Sequence, residues 1–294
     1  MTNVTPPTLP TKRTPYLTNK DLLRQIHLSK NSYCSYLVPE DNQYDIILPS
    51  LSKVNQRTVA EAKRNRADRI AKRAWEASQL TGVKTKLDQH TIDWHKVPKT
   101  DVVFRIICWD HIPLAPGRKK NPKITADHHV KVNFPPFQHY RFNDQDELVC
   151  VGKSHWQGGL QNGHFSKDHG KMTPALARMF IKLCERYGSK GNWRGYTYND
   201  EMRSQALLQL SQVGLQFDES KSNNPFAYYT ATITNSFTRV LNVEKRNQHL
   251  RDDILEMNNL NPSYSRQTDN AIKAAEATTA AVAITAAATD TPKV

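Results

Sequence analysis

The residues best suited to chemistry lie on one predicted helix in the last third of the chain. Asn224 followed by Pro225 marks its start, because an asparagine side chain caps a first turn and a proline at the first helical position misses no hydrogen bond. Polar and aromatic side chains then recur at intervals of three and four: Tyr228, Thr232, Asn235, Arg239, Asn242 and Arg246. These positions share one helix face, which carries no carboxylate. The pattern is typical of a nucleic-acid-binding helix, and a solvated amphipathic helix fits it equally well.

Histidines in the middle of the chain suggest a second chemistry, that of a metal-dependent nuclease. Seven candidate ligands fall in or just after this part: His128, His129, His139, His155, His164, Asp168 and His169. Their spacing contains no HxxxH, HExxH or Cys/His quartet, and the four cysteines include no CxxC pair. Surface or hydrogen-bonded histidines fit the pattern better. We therefore expect no metal site, no other cofactor and no enzymatic activity.

The charge balance favours a polyanionic partner. Lysine and arginine number 41 against 28 aspartate and glutamate residues, a net charge of +13. A general basic DNA-binding protein without a further protein partner is thus a third possibility. No apolar run approaches the roughly 20 residues of a membrane span, and the first residues lack the apolar core of a signal peptide. The sequence predicts a protein that acts inside the cell and away from membranes.

Three helices with short connections would position the polar face. On the opposite side of the helix that starts at Pro225, apolar residues recur at core spacing: Phe226, Tyr229, Ile233, Phe237 and Val240. An earlier helix begins at Thr173 and Pro174 and carries a continuous apolar stripe to Gly188. The helix between them is capped by Asn199 or Asp200. These helices predict one small bundle.

The remaining segments give a mainly α protein with a small β-containing insertion and disordered termini. Residues 53–76 hold eight basic against three acidic side chains, which predicts a surface helix that either contacts phosphate or is simply solvated. Short β-rich runs follow. The predicted organisation is a disordered tail (1–15), an amino-terminal helix and connection that dock on the bundle (16–52), the insertion (53–171, with a basic helix 53–80, a β-containing unit 101–156 and a Gly/His-rich loop 157–171), the helical domain (172–260) and a disordered Ala/Thr-rich tail (261–294).

Three features of the helical domain occur together in a known family. An aromatic and glycine-containing GYTYND segment precedes an acidic helix, the turn FDESK occupies residues 217–221, and NPFAY occupies residues 224–228 before a helix rich in basic residues. This combination resembles region 2 of bacterial sigma factors, and most of all the late-transcription sigma factors of T-even-type bacteriophages. The early segment TNKDLLRQI resembles the amino-terminal helix of the same phage proteins. The stretch from residue 53 to about 170 has no counterpart and looks like an insertion.

The resemblance implies a role for each of the two helices that follow GYTYND. The first would bind the clamp helices of the largest subunit of host RNA polymerase core, through Glu201, Ser204, Gln205, Leu208 and Gln212. The second would recognise and melt a −10-type late promoter element in the cytoplasm of the infected bacterium. Tyr228 and Tyr229 would stack on exposed bases, with Thr232 beside them on the same helix. Asn235 and Thr238 would face base edges, and Arg239, Lys245 and Arg246 would hold phosphates.

The same family leaves one partner open. T-even-type late sigma factors lack the region 4 helix-turn-helix and contact the phage sliding clamp through a short hydrophobic carboxy-terminal motif. Nothing after Arg251 predicts such a helix-turn-helix here, and the last residues are Ala, Thr and Lys without that motif. The resemblance therefore does not decide whether this chain contacts a sliding clamp.

Overall fold

The computed structural model describes residues 17–81, 85–114, 117, 119 and 132–289, with side chains described as far as residue 280. The predicted disordered tail, residues 1–15, lies outside the described residues. Within them the chain is mainly α, with a mixed five-stranded sheet beside a helical bundle. No helix in this part of the chain is both long enough and apolar enough to cross a membrane.

Four helices form the bundle, and three of them start at the caps expected from the sequence. They are α1 (Asn19–Asn31), α3 (Pro174–Gly188), α4 (Asn199–Val213) and α5 (Pro225–Met257). Side chains of Thr18, Thr173 and Asn224 accept hydrogen bonds from first-turn amides of α1, α3 and α5. The start of α4 differs, because the Asn199 amide donates to the carbonyls of Gly188 and Trp193 at 3.0 and 2.9 Å. This side chain ties α4 to the end of α3 and does not cap its own helix.

The bundle core is built from one apolar stripe on each helix. Its central side chains are no more than 3% exposed and come from all four helices: Leu22, Ile26, Leu176, Phe180, Leu183, Met202, Ala206, Leu210, Tyr229, Ile233 and Phe237. Burial of the Leu, Ile, Met and Phe side chains among them contributes about 1.5–3 kcal/mol each. The amino-terminal helix therefore completes the core of the bundle formed by the three later helices.

The five-stranded sheet has the order β1-β5-β4-β3-β2. Its strands are β1 (Cys34–Tyr36), β2 (Ile46–Leu48), β3 (Val103–Ile107), β4 (Phe137–Phe142) and β5 (Leu148–Ser154). β2 runs parallel to β3, and the other pairs are antiparallel. Both edge strands come from residues 16–52, and the three central strands come from residues 53–171. The predicted boundary at residue 53 therefore divides one sheet between two segments. Residues 53–171 are thus no separate unit.

A short hairpin follows the sheet along the chain, and one long helix packs against the sheet. A short hairpin of β6 (Trp156–Gln157) and β7 (His164–Phe165) occupies part of the segment predicted to be a Gly/His-rich loop. The basic helix α2 (Gln56–Leu80) packs on the sheet through the buried Ala62 and Ala67, and Ala71 is also buried.

Two cations of α2 are used inside the protein. The carboxylate of Asp45 is buried, and the guanidinium groups of Arg66 and Arg69 lie 3.6 and 2.5 Å from its oxygens. The same carboxylate accepts the Val103 amide at 2.9 Å, which fixes the start of β3. Neither phosphate contact nor simple solvation, the two readings of this helix from its sequence, describes these two arginines. They bind α2 to the sheet.

A buried ionic cluster joins the sheet to the bundle. Lys30, at the end of α1, donates to Glu219 at 2.9 Å and to the Phe217 carbonyl at 2.7 Å. Arg105, on β3, lies 3.7 Å from the same Glu219 carboxylate. Lys30 and Arg105 are 2% and 0% exposed, and Glu219 belongs to the turn between α4 and α5. Three distant segments of the chain therefore meet at one carboxylate.

Ring stacking and a histidine compensate for the burial of Arg105. Its guanidinium lies between the rings of Tyr44 and Phe137, 3.8 Å from each centroid. Its Nε donates to His139 Nε2 at 2.9 Å, so the proton of His139 is on Nδ1, which donates to the Asp41 carbonyl at 2.7 Å. The charge is therefore enclosed by aromatic faces and one neutral acceptor besides Glu219.

The carboxy-terminal segment is helical as far as Thr289, where the sequence predicted a disordered tail at 261–294; residues 290–294 lie outside the described residues. α5 continues to Met257, and a further helix, α6 (Tyr264–Thr289), follows it. The carboxylate of Asp252 accepts the amide and hydroxyl of Ser263 at 2.8 and 2.7 Å and so fixes the start of α6. Alanine has the highest helix propensity of any residue, and the predicted disorder gave this local preference too little weight.

Breaking the ionic cluster is expected to destabilise the whole fold. Glu219→Gln leaves the charges of Lys30 and Arg105 buried without a counter-charge, which costs about 3–5 kcal/mol of unfolding free energy. The matched control is Glu76→Gln, which breaks the exposed pair between Lys20 and Glu76 (2.7 Å). That change should cost much less, because water and salt screen an exposed ion pair. Urea unfolding measures both, and equal losses in the two variants would contradict the assignment.

Candidate nucleic-acid interface

A groove runs between α4 and α5 on the surface of the bundle. The Tyr228 hydroxyl reaches the Val213 carbonyl, so the end of α4 lies beside the start of α5. Glu201, near the start of α4, and Glu244, further along α5, line the same groove, so the two helices run in opposite directions. Both helices supply its walls with the residues Glu201, Gln205, Gln209, Val213, Tyr228, Thr232, Asn235, Ser236, Arg239, Val240, Val243 and Glu244. The groove therefore brings together residues that the sequence placed on two separate faces.

The exposed face of α4 carries the five residues predicted to bind polymerase. Glu201, Ser204, Gln205, Leu208 and Gln212 are all exposed, because their spacing is out of phase with the buried stripe of Met202, Ala206 and Leu210. Leu208 is 52% exposed and is surrounded on its own helix by polar side chains. Glu201 and Gln205 also line the groove and are hydrogen-bonded to each other at 3.2 Å. The five side chains form one continuous face.

The α5 side of the groove carries four of the eight residues predicted to bind DNA. Tyr228, Thr232, Asn235 and Arg239 line the groove in helical succession. Thr238, Lys245 and Arg246 are exposed further around or along the same helix. Among the described residues, Arg239, Lys245 and Arg246 make no ion pair, whereas several other basic side chains do. These three cations are therefore available to an external anion.

Tyr228 is only partly available for stacking. Its ring lies edge-on to Phe217 at 5.6 Å, and its hydroxyl donates to the Val213 carbonyl at 3.4 Å, a long hydrogen bond. Burial raises the pKa of its phenol. One part of the ring is thus held by the turn between α4 and α5, and the rest faces the groove.

Tyr229 is not a DNA-binding residue, which corrects the prediction. Its side chain is 0% exposed, and its ring packs edge-on to Phe180 at 4.8 Å. Its hydroxyl donates to the Gly214 carbonyl at 2.7 Å, and burial raises its pKa. Tyr229 shares the core spacing of Ile233 and Phe237, and this spacing, already visible in the sequence, determines where it lies.

Two carboxylates lie in the groove, which the sequence pattern of α5 alone does not indicate. Glu201 from α4 and Glu244 from α5 both line the wall that holds Arg239. A phosphate group would be repelled from the part of the groove between these two carboxylates. The cations suited to a nucleic-acid backbone are therefore those on the outer edge of α5, Lys245 and Arg246, together with the exposed end of Arg239.

The histidines of the sheet form hydrogen bonds and are buried. His139 and His155 are 0% exposed, and His155 Nε2 accepts the amide of Asn133 at 3.2 Å. His128 and His129 lie outside the described residues. Among the residues that the structure does describe, no three His, Cys, Asp or Glu side chains converge so as to hold a metal ion. No observation in this part of the chain favours the nuclease hypothesis.

Neither protein-family models, nor curated proteins, nor solved structures match this chain. The site is therefore defined by its own geometry and by the sequence resemblance described above.

The buried histidines are expected to make the fold acid-sensitive. Burial lowers the pKa of His155 to about 3, and burial with the nearby Arg105 charge lowers that of His139 well below 6.5. At a given pH the two imidazoles therefore bind more protons in the unfolded chain than in the folded one. The stability that the neutral, buried rings contribute is complete above pH 6.5 and is lost as the pH falls below 6.5. From pH 6.5 to 5.5 these two rings should reduce the unfolding free energy by about 2 kcal/mol.

Urea unfolding of the wild type and of His155→Gln at several pH values measures this effect. The variant should show a shallower dependence on pH, because one ring no longer takes up a proton on unfolding. His164→Gln, at an exposed position, is the control for the substitution itself. A wild-type unfolding free energy that stays constant from pH 6.5 to 5.5 would contradict the prediction.

Proposed function

We propose that this protein is a non-catalytic specificity subunit of sigma type. It binds the core RNA polymerase of a bacterial host and directs it to phage late promoters through a −10-type element. The observation that carries the proposal is the groove, where the exposed face of α4 lies beside the polar line of α5. A factor that holds an enzyme with one helix and reads DNA with the next needs this adjacency.

The α4 face has the composition of a protein interface. Leu208 is a large apolar side chain, half exposed, at the centre of a row of amides, a hydroxyl and one carboxylate. An apolar centre with a polar rim is the usual arrangement of a protein–protein contact. The carboxylate of Glu201 and the amides of Gln205 and Gln212 supply the rim, and the partner would be the clamp helices of the polymerase.

The α5 face has the composition of a nucleic-acid interface. Asn235 offers an amide donor and acceptor to base edges, and Thr238 offers a hydroxyl. Arg239, Lys245 and Arg246 provide positive charge along about two turns of helix, within a chain of net charge +13. Tyr228, at the groove end nearest the turn, is the candidate to stack on an unpaired base, a contact worth about 1–3 kcal/mol.

Transcription with purified components tests the proposal. Bacterial core polymerase and phage late-promoter DNA are incubated with and without the protein, and the transcripts are mapped to their start sites. Initiation at a defined A/T-rich site only when the protein is present is the expected result. Specific DNA binding without any core-polymerase binding would instead favour a general basic DNA-binding protein, and it would refute the sigma assignment.

Leu208→Asp is expected to abolish binding to core polymerase while the protein stays folded. A carboxylate at the centre of the apolar contact would be desolvated without a partner, which should weaken the affinity at least about a hundredfold. Leu37→Asp is the matched control, since Leu37 is also exposed (61%) but lies beside the sheet. Pull-down and fluorescence titration with core polymerase measure the effect. Unchanged affinity in Leu208→Asp would place the interface elsewhere.

Tyr228→Ala is expected to leave polymerase binding intact and to impair promoter opening. Loss of one stacking contact of about 1–3 kcal/mol corresponds to roughly a fivefold to hundredfold lower open-complex formation. Tyr228→Phe keeps the ring and loses only the long hydrogen bond to Val213, so it should open promoters nearly as well as the wild type. Permanganate reactivity of unpaired thymines measures opening. Equal opening by the alanine and phenylalanine variants would exclude a stacking role.

A further inference from the structure

The last part of α5 extends beyond the helix that packs against it. α4 runs back along α5 from Val213, which lies beside Tyr228. The 15 residues of α4 therefore reach about as far as Val243. α5 continues to Met257, so its last four turns, about 20 Å, project from the bundle.

This projecting part keeps an apolar stripe in a continuous heptad pattern. Val243, Leu250, Ile254 and Met257 are 52%, 53%, 59% and 83% exposed. With Asn247 they follow one another at steps of four, three, four and three residues, which is the spacing of the a and d positions of a coiled coil. The stripe continues the face by which Tyr229, Ile233 and Ser236 enter the bundle core. We call these five residues (Val243, Asn247, Leu250, Ile254 and Met257) the seam.

The neighbouring helix α6 does not cover the seam. Its first turns contact α5 through Gln248, Asp252, Asp253 and Glu256. Gln248, Asp252 and Glu256 lie on the side of α5 that faces away from Leu250 and Ile254, and Asp253 lies at the edge of the seam, by helical geometry. Among the described residues the seam is therefore an apolar helix face without a partner.

The charges beside the seam select one occupant. Glu244 and Arg251 flank it on one side, and Arg246 and Asp253 flank it on the other. On the first side the acidic residue precedes the basic one along the chain, and on the second side the basic residue precedes the acidic one. A second copy of α5 laid antiparallel would meet Glu244 with Arg251 and Arg246 with Asp253, each pair twice. A parallel copy would instead oppose Arg246 and Arg251, like charges, on both sides.

Only one antiparallel register satisfies these charges together with the seam. In it Val243 packs on Ile254 of the second copy and Asn247 on Leu250, and symmetry repeats both layers. A shift of one heptad in either direction opposes identical charges, Arg251 with Arg251 or Glu244 with Glu244. Asp253 Oδ1 already accepts from Arg266 at 2.9 Å, which leaves Oδ2 for Arg246 of the second copy.

We propose that the projecting half of α5 is a self-association surface, on which two copies of this chain pair antiparallel through the seam. The contact covers about two heptads and contains one asparagine layer, so the dimer is weak and depends on concentration. Arg246 is also one of the residues proposed to hold phosphate. DNA and the second copy therefore compete for this side chain.

Sedimentation velocity of the purified full chain over a wide concentration range tests the pairing. The wild type should sediment as a reversible monomer–dimer mixture. Leu250→Asp should remain monomeric throughout, and Ile181→Asp, the same kind of apolar-to-acid change at an exposed position on α3, should behave as the wild type. Circular dichroism checks that each variant is folded. A wild type that stays monomeric at the highest concentration, or equal association of Leu250→Asp, would overturn the proposal.

Charge reversal distinguishes the antiparallel dimer from every other arrangement. Arg246→Asp should weaken dimerisation about tenfold, because two attractive pairs with Asp253 become repulsive. The double variant Arg246→Asp with Asp253→Arg should restore it. In a parallel dimer Arg246→Asp would strengthen association by relieving the repulsion from Arg251, and that result would refute the register. Since these measurements use the protein alone, their outcome is independent of its proposed action on polymerase.

Discussion

The carboxylate of Glu219 is the point on which the structure depends. It takes the Lys30 ammonium and the Arg105 guanidinium in a nearly water-free interior, where unpaired charge is costly. Burial by itself raises the pKa of Glu219, but the two cations bring it below its ordinary value, so the group stays ionised. Each partner belongs to a different part of the fold. The sheet and the bundle therefore cannot separate without exposing or stranding buried charge.

The same turn determines the geometry of the groove. Lys30 also donates to the Phe217 carbonyl, and the Phe217 ring lies against Tyr228. Asp218 accepts from the amide and hydroxyl of Ser220, which closes the turn immediately before α5. The ionic cluster thus fixes the angle between α4 and α5. The residues proposed to contact polymerase and DNA are positioned by a contact that lies outside both surfaces.

The four bundle helices and the caps of three of them were predictable from the sequence, whereas the cap of α4, the helix α6 and the joining of distant segments were not. Thr18, Thr173 and Asn224 cap as expected because capping is a local interaction, and the stripes of α3 and α5 have the expected period. Strands β1 and β2 are three residues long, too short for any alternation to appear. No sequence pattern indicates that Arg105 is buried. Only the folded structure provides the rings and the carboxylate that allow its burial.

For the candidate site, spacing located the exposed residues correctly but could not locate their neighbours. Tyr229 lies in the core because its spacing from Ile233 places both on the same face of α5. This spacing is visible in the sequence, although the family resemblance suggested a role in DNA binding. The carboxylate of Glu201 in the groove could not be foreseen from α5 alone, since it depends on how α4 lies alongside. The charges on a helix surface can therefore be described fully only when the neighbouring helix is known.

Native-state hydrogen exchange, measured amide by amide, tests the central claim that sheet and bundle are one cooperative unit held at Glu219. The slowest amides of β3, β4, α3 and α5 should exchange with the same free energy, that of global unfolding. Glu219→Gln should lower that free energy by the same amount in all four elements. Sheet amides that open at a distinctly lower free energy than those of the bundle, or an effect of the variant confined to one side, would contradict the account.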